Sequence, residues 1–292
     1  MLLSALVLAS LSFGAAAQNS TKPASPKVHS EYLVSPTWLA AHISDPDLVI
    51  VHVGSPRDFA NGHIPGARLL PFDKFATSPE TELPPDDQLK QNLEAIGIGD
   101  HSRVVIYTAS WPPLAARLFF TLDYLGFHNA AMLDGQYEGW LAGKYPVSTE
   151  EPKFTPGTLT IHPHPEIVAK MDLVKDLVSG NTNDTVLIDA RPLRRYRSGH
   201  LPGAETIFWE KNLKDPDDLA QVLKSPDELR TMYAAAGVLP GKKVVSYCEV
   251  GQQASYTYFI ARYLGYDAAM YDGSWSEWSS AKQPSIRGDS RR

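Results

Sequence analysis

Hydrophobic positions in this chain fall into a repeating alternation. Short β-branched runs at Leu48–Val53 and Arg103–Tyr107 read as buried strands, and the longer apolar stretch at 114–124 reads as a helix. The second half repeats the pattern, with strands at Thr185–Asp189 and Lys243–Tyr247 and a helix at 254–263. Strands without polar alternation are covered on both faces. Their alternation with helices predicts α/β units, each built on a mostly parallel sheet flanked by helices. In such sheets ligands bind beyond the carboxyl ends of the strands.

One apolar run stands outside this alternation. Residues 2–17 carry no charge and end in Ala15-Ala16-Ala17, ahead of the polar Gln18-Asn19-Ser20-Thr21. The run is shorter than the roughly 20 residues a spanning helix needs, and a small-residue cleavage site follows it. We read 1–17 as a secretory signal peptide and 18–30 as a linker. The expectation is export to the periplasm or the extracellular space, with no stable membrane insertion after cleavage. No later segment is long and apolar enough to span a bilayer.

The halves are copies. Gly62-His63-Ile64-Pro65-Gly66-Ala67 returns as Gly199-His200-Leu201-Pro202-Gly203-Ala204, and Tyr124-Leu125-Gly126 as Tyr263-Leu264-Gly265. Asp134-Gly135 with Tyr137 and Trp140 returns as Asp272-Gly273 with Trp275 and Trp278. All three recur in order, roughly 138 residues apart, which marks a tandem repeat. The boundaries follow as a first domain at 31–145, a proline-rich connector at 146–165, a second domain at 166–284 and a polar tail at 285–292.

Composition narrows the chemistry. Against 33 Asp and Glu the chain sets 27 Lys and Arg, a net charge of −6 over 292 residues, which argues against a nucleic-acid partner. Cys248 is the one cysteine, so there is no intrachain disulfide and no cysteine-rich metal site. His162 and His164 lack partners at ligand spacing, and no metal is expected. Cys248 follows the strand ending at Tyr247 and precedes Glu249-Val250-Gly251-Gln252-Gln253, which leads into a helix. Backbone N–H groups and a helix dipole aimed at the sulfur would lower its pKa and favour a nucleophilic thiolate. On the loop alone, an ordinary buried thiol remains equally open.

The first copy serves as a control. Thr108 stands where Cys248 does, and Pro112 and Pro113 delete two amide donors, so this copy is expected to be inert. Trp111 could wall the second copy's loop or simply pack in the core. His52 stands where the second copy has Asp189. His63 and His200 occur in both copies, which points to a structural role rather than a catalytic base.

Taken together, the tandem G-H-[IL]-P-G-A turns, the D-G-x-[YW]-x-x-W motifs and a C-x-x-G loop in the second copy alone resemble the two-domain rhodanese-like sulfurtransferases. The resemblance spans about residues 31–280. It implies two tandem rhodanese-like α/β domains, the first non-catalytic and the second catalytic. It also implies that Cys248 takes a sulfane sulfur from thiosulfate or 3-mercaptopyruvate and passes it to a thiophilic acceptor, cyanide or a thiol, a protein thiol included. The amides of Glu249, Val250, Gly251, Gln252 and Gln253 would cradle the anion, Arg191 would hold the anionic donor, and Arg195 is the second candidate. No metal or organic cofactor is implied.

The loop departs from the family's patterns, which place basic residues or Gly-Ser-Gly after the cysteine. Thiosulfate is the expected donor ahead of 3-mercaptopyruvate, and Glu249 is expected to point to solvent. Phosphatases of the same fold carry an arginine six residues after the cysteine, where this chain has Ala254, so phosphatase activity is not expected. A persulfide carrier with little turnover is the alternative.

Overall fold

A computed structural model of the chain describes residues 24–77, 82–180 and 184–289. The expected signal peptide at 1–17 lies outside the described residues. Each half forms one five-stranded parallel sheet. The first contains β1 (Leu33–Val34), β2 (Leu48–Val53), β3 (Arg68–Leu70), β4 (Arg103–Tyr107) and β5 (Ala130–Leu133), in the order β1-β5-β4-β2-β3. The second contains β6 (Val168–Ala169), β7 (Thr185–Asp189), β8 (Glu205–Thr206), β9 (Lys243–Tyr247) and β10 (Asp267–Tyr271), in the order β6-β10-β9-β7-β8. The registers match: His52 pairs with Tyr107 in one sheet and Asp189 with Tyr247 in the other.

Helices cover both faces. The first half carries α1 (Pro36–His42), α2 (Pro56–Asn61), α3 (Asp86–Ala95), α4 (Pro112–Tyr124) and α5 (Gln136–Ala142). The second carries α6 (Met171–Val178), α7 (Leu193–Ser198), α8 (Pro226–Ala235), α9 (Gln252–Tyr263) and α10 (Ser274–Ser280). Ser35 and Ser55 accept the free N–H groups that open α1 and α2, and Ser225 with Glu228 forms a capping box on α8. Pro112 and Pro113 do not delay α4 but begin it, because the first turn has no intrahelical use for their missing donors.

The repeated motifs hold equivalent turns. The Ile64 and Leu201 amides donate to the hydroxyls of Tyr107 and Tyr247 at 3.0 and 3.2 Å. His63 and His200 are fully buried, stack on Phe59 and Tyr196, and place Nδ1 on the carbonyl of that same residue. Trp140 and Trp278 donate to the carbonyls of Pro146 and Pro284. These contacts tie each turn to its sheet and each C-terminal extension to its domain.

The halves pack through α4 and α9 and share one continuous apolar core, with a smaller core on the far face of each sheet. Phe119 meets Phe259 edge to face at 4.9 Å, and Phe120 meets Tyr258 at 5.0 Å. Buried polar groups cross the same seam. Asp123 accepts from the Tyr258 hydroxyl at 2.6 Å and from Arg262 Nε at 3.0 Å. Arg117, fully buried on α4, reaches the carboxylate of Asp272 beyond β10. The connector is extended but anchored: Leu159 is buried, and the amides of His162 and His164 bond to Leu125 and Tyr124 carbonyls. Within the expected N-terminal linker, His29 donates to the Tyr263 carbonyl at 2.8 Å, so this stretch is docked on the second half. Among the described residues no helix is long and apolar enough to cross a membrane.

Candidate active site

In the second sheet, β7 and β9 are neighbours whose chains leave in opposite directions, toward β8 and β10. A crevice opens beyond their carboxyl ends, as sheet topology requires. The loop after β7 supplies Arg191 and the loop after β9 supplies Cys248.

Cys248 is 1% exposed. Its sulfur receives the Gly251 amide at 3.2 Å, and its own amide donates to Ser274 Oγ at 3.2 Å. Trp275 N and Ser276 N donate to the carbonyls of Cys248 and Glu249, both at 3.0 Å, which pins the loop to the start of α10. Gly251 has φ +89, and a Cβ there would lie 2.7 Å from Asp272 Oδ1 and 3.2 Å from Arg117 Nη1. Only glycine fits without displacing that ion pair.

Burial pushes the Cys248 thiol above its usual range, and the N–H groups of Ala254, Val250, Gly251 and Gln253 pull against it without prevailing. This corrects the expected lowering. The sequence shows the loop and its donors but not the depth of the sulfur, and desolvation wins. The amides that act on the sulfur are those of Val250, Gly251, Gln253 and Ala254, so Ala254, in the first turn of α9, joins the expected set while Glu249 and Gln252 leave it.

Arg191 is 2% exposed and differs from its expected role as a free donor clamp. Its Nε and Nη2 bind the Asp189 carboxylate, at 3.0 and 2.7 Å for the shorter contacts, and Nη2 also donates to the Gly199 carbonyl at 2.8 Å. Its plane lies 4.7 Å from the Trp275 ring centroid. Burial disfavours the charge, yet the Asp189 partnership outweighs it and keeps the guanidinium charged. Three of the five N–H donors are committed, so only Nη1 faces outward. There it meets Glu249 Oε2 at 3.4 Å. Glu249 is thus half-exposed and leaning on Arg191, rather than pointing to solvent.

Arg191, Pro192, Arg194, Arg195, Glu249 and Gln253 line a cleft of about 200 Å³. Arg195 stands in it as expected, and Arg194 stands beside it. Arg197 points elsewhere, to Asp289 at 2.7 Å. Val250 and Gln252 complete the loop without lining the cleft. Ser274 escaped the sequence reading. Its signal was the counterpart Gln136, whose Oε1 accepts the Thr108 amide at 3.1 Å; both residues hold positive φ.

The first half keeps the frame with different residues in it. Thr108 is buried in place of the thiol. His52 replaces Asp189 and folds over Gly54, the counterpart of Arg191, with both ring nitrogens unpartnered. Trp111 packs edge to face on Trp209 of the second half at 5.8 Å, so it seals the seam between the halves.

The family model for the rhodanese-like domain matches residues 35–143 and again 171–281. The sulfur carrier protein TtuD of Thermus thermophilus is 28% identical over 274 residues, covering 86% of this chain and 95% of its own. Thiosulfate sulfurtransferase of Azotobacter vinelandii is 29% identical over 260 residues, covering 85% and 94%. The 3-mercaptopyruvate sulfurtransferase of Escherichia coli is 27% identical over 274 residues, covering 85% and 95%. The solved structure of wild-type EanB superposes with a TM-score of 0.79 at 24% identity, over 89% of this chain and 70% of that one, which shows a shared fold. Two matched domains and relatives aligned over most of their length establish that the chain belongs to the rhodanese-like sulfurtransferase family.

Proposed function

We propose that the protein moves a sulfane sulfur from a small anionic donor, thiosulfate ahead of 3-mercaptopyruvate, through a persulfide on Cys248 to a thiophilic acceptor. The observation that carries this reading is the loop around the chain's one cysteine: the Gly251 amide donates to the Cys248 sulfur at 3.2 Å, and the amides of Val250, Gln253 and Ala254 favour its charged form in the same direction. Such donors oppose the cost of burial and are fixed before the anion forms, so they stabilise an anionic sulfur without reorganising. Arg194 and Arg195 supply exposed positive charge at the mouth, which suits a dianionic donor.

In the first step the Cys248 sulfur, having released its proton to solvent, attacks the outer sulfur of thiosulfate. The S–S bond breaks and its electron pair leaves with sulfite. With 3-mercaptopyruvate the C–S bond breaks instead, and the pair leaves on the pyruvate enolate, which takes up a proton. In the second step the acceptor attacks the terminal sulfur and the pair returns to Cys248.

Incubation with thiosulfate, followed by protein mass measurement and a cyanide assay, tests the reading. The wild type gains one sulfur atom and forms thiocyanate, while Cys248→Ser does neither and keeps its fold. Turnover by the serine variant near the wild-type rate would refute it. The raised thiol and the carboxylate at the mouth favour one second reading, a persulfide carrier with little turnover; a stable sulfur adduct without thiocyanate would support it. Export to the periplasm or extracellular space is part of the proposal, and cleavage after Ala17 is its check by N-terminal sequencing of the secreted chain.

A further inference from the structure

We propose that Glu249 selects the sulfur acceptor by facing an ammonium group, so that the site favours a small amino-acid thiol bearing both an ammonium and a carboxylate. The inference rests on the persulfide reading at Cys248 and concerns the second half-reaction.

Charges at the mouth are unevenly matched. Arg191 is already neutralised by Asp189, through two nitrogens and contacts as short as 2.7 Å. Glu249 reaches the same guanidinium only through the remaining nitrogen, at 3.4 Å, with 46% of its side chain exposed. Two carboxylates therefore share one cation, and Glu249 is the surplus one. Among the described residues no carboxylate lies within ion-pair distance of Arg194 or Arg195, both exposed and both lining the same cleft. The rim thus presents an unbalanced carboxylate and two unbalanced guanidinium groups around a space of about 200 Å³. A purely anionic acceptor would meet Glu249 as a like charge. A zwitterion satisfies both ends, its carboxylate on the arginines and its ammonium on Glu249. Backbone contacts hold Glu249 in place, since its carbonyl accepts from Ser276.

In the transfer the acceptor thiol, losing its proton, attacks the terminal sulfur of the Cys248 persulfide. A new S–S bond forms on the acceptor and the enzyme's S–S bond breaks. The electron pair and a proton return to Cys248. The acceptor leaves as its own persulfide with no net oxidation.

The test loads the full chain with thiosulfate and measures persulfide consumption by L-cysteine, 3-mercaptopropionate, which lacks the ammonium, and cysteamine, which lacks the carboxylate. Ratios between acceptors are compared across variants, so intrinsic thiol reactivity cancels. Glu249→Gln should lower the cysteine to 3-mercaptopropionate ratio about fivefold, the scale of a half-exposed ion pair. Glu249→Asp should retain the preference. Arg194→Ala with Arg195→Ala should lower the cysteine to cysteamine ratio by a similar factor. An unchanged ratio in Glu249→Gln overturns the proposal, and so does an equal acceleration of every thiol, which would make Glu249 a plain anion gate. If the wild type gains no sulfur from thiosulfate or from 3-mercaptopyruvate, the sulfur-transfer reading itself fails, and this inference falls with it.

Discussion

The ion pair between Arg117 and Asp272 should be the most damaging single interaction to break outside the cysteine loop. It joins α4 of the first half to the loop after β10 of the second, and neither side chain is solvated: Arg117 is 0% exposed and Asp272 7%. The contact is two-pronged, with Nη2 to Oδ2 at 3.1 Å beside the shorter Nη1 to Oδ1 bond. Replacing Arg117 by Met keeps much of the volume but strands a buried carboxylate. Removing one partner of such a pair costs about 3–5 kcal/mol, whereas replacing both with apolar groups is often neutral. Arg117→Met should therefore destabilise the chain by about 4 kcal/mol. Arg117→Met combined with Asp272→Leu should recover most of that loss.

Urea denaturation followed by tryptophan fluorescence reads the change as a shift in midpoint at constant slope. A cost below about 1 kcal/mol for Arg117→Met would mean that Asp272 is solvated in solution, and the reasoning would fail. A double variant no more stable than the single would show that shape, not charge, is at stake. The single variant should also slow sulfur transfer, because Asp272 walls Gly251, whose amide lies on the Cys248 sulfur.

Three further outcomes follow from the same geometry. Gly251→Ala forces an L side chain into φ +89 and places its Cβ 3.0 Å from the Asp272 carbonyl oxygen; moving the amide off the sulfur should cut the rate of persulfide formation by about 100-fold, and a wild-type rate would refute the cradle. Burial raises the Cys248 thiol, so its iodoacetamide alkylation rate should rise with pH through a midpoint above that of free cysteine in the same buffer, and a midpoint below free cysteine's would contradict burial as the ruling influence. His52 is held neutral by burial, with His63 nearby, and its pKa is pulled down to about 4. The unfolded chain takes up this proton near pH 6.5 while the folded chain resists, so its contribution is complete above pH 6.5 and lost as pH falls toward 4, about 3 kcal/mol in all. His52→Leu should flatten the urea midpoint across that window, and an unchanged slope would disprove the assignment.

The pattern of apolar residues reveals the long central strands because they are buried on both faces: β2 and β4 each have one residue short of full burial. The edge strands β1, β6 and β8 stay hidden, since two residues carry no period. The position of Cys248 was legible through comparison of the copies, but its depth was not, and depth decides the thiol's pKa. Arg191 was legible as a cation near the site, yet its pairing with Asp189 depends on the two residues turning back on each other beyond β7. Arg117 and Asp272 lie far apart in sequence, and a charge within an apolar helix reads as an exposed residue until the facing helix is known.

That hidden pair bears on what the half without a thiol contributes. The first half has Thr108 where the second has its thiol, and His52 and Gly54 where the second has its acid–arginine pair. What it supplies lies on its back: Arg117 under Gly251, Asp123 between Tyr258 and Arg262, and the phenyl rings against α9. The first turn of helix α9 carries part of the cradle, and nine of the helix's twelve residues are buried, several of them against α4. A second half expressed alone would expose Tyr258 and Phe259 and strand Asp272 at the floor of the cysteine loop. On the proposed reading, the first domain is thus part of the sulfur site, acting through the rigidity of the floor rather than through contact with the reacting atoms.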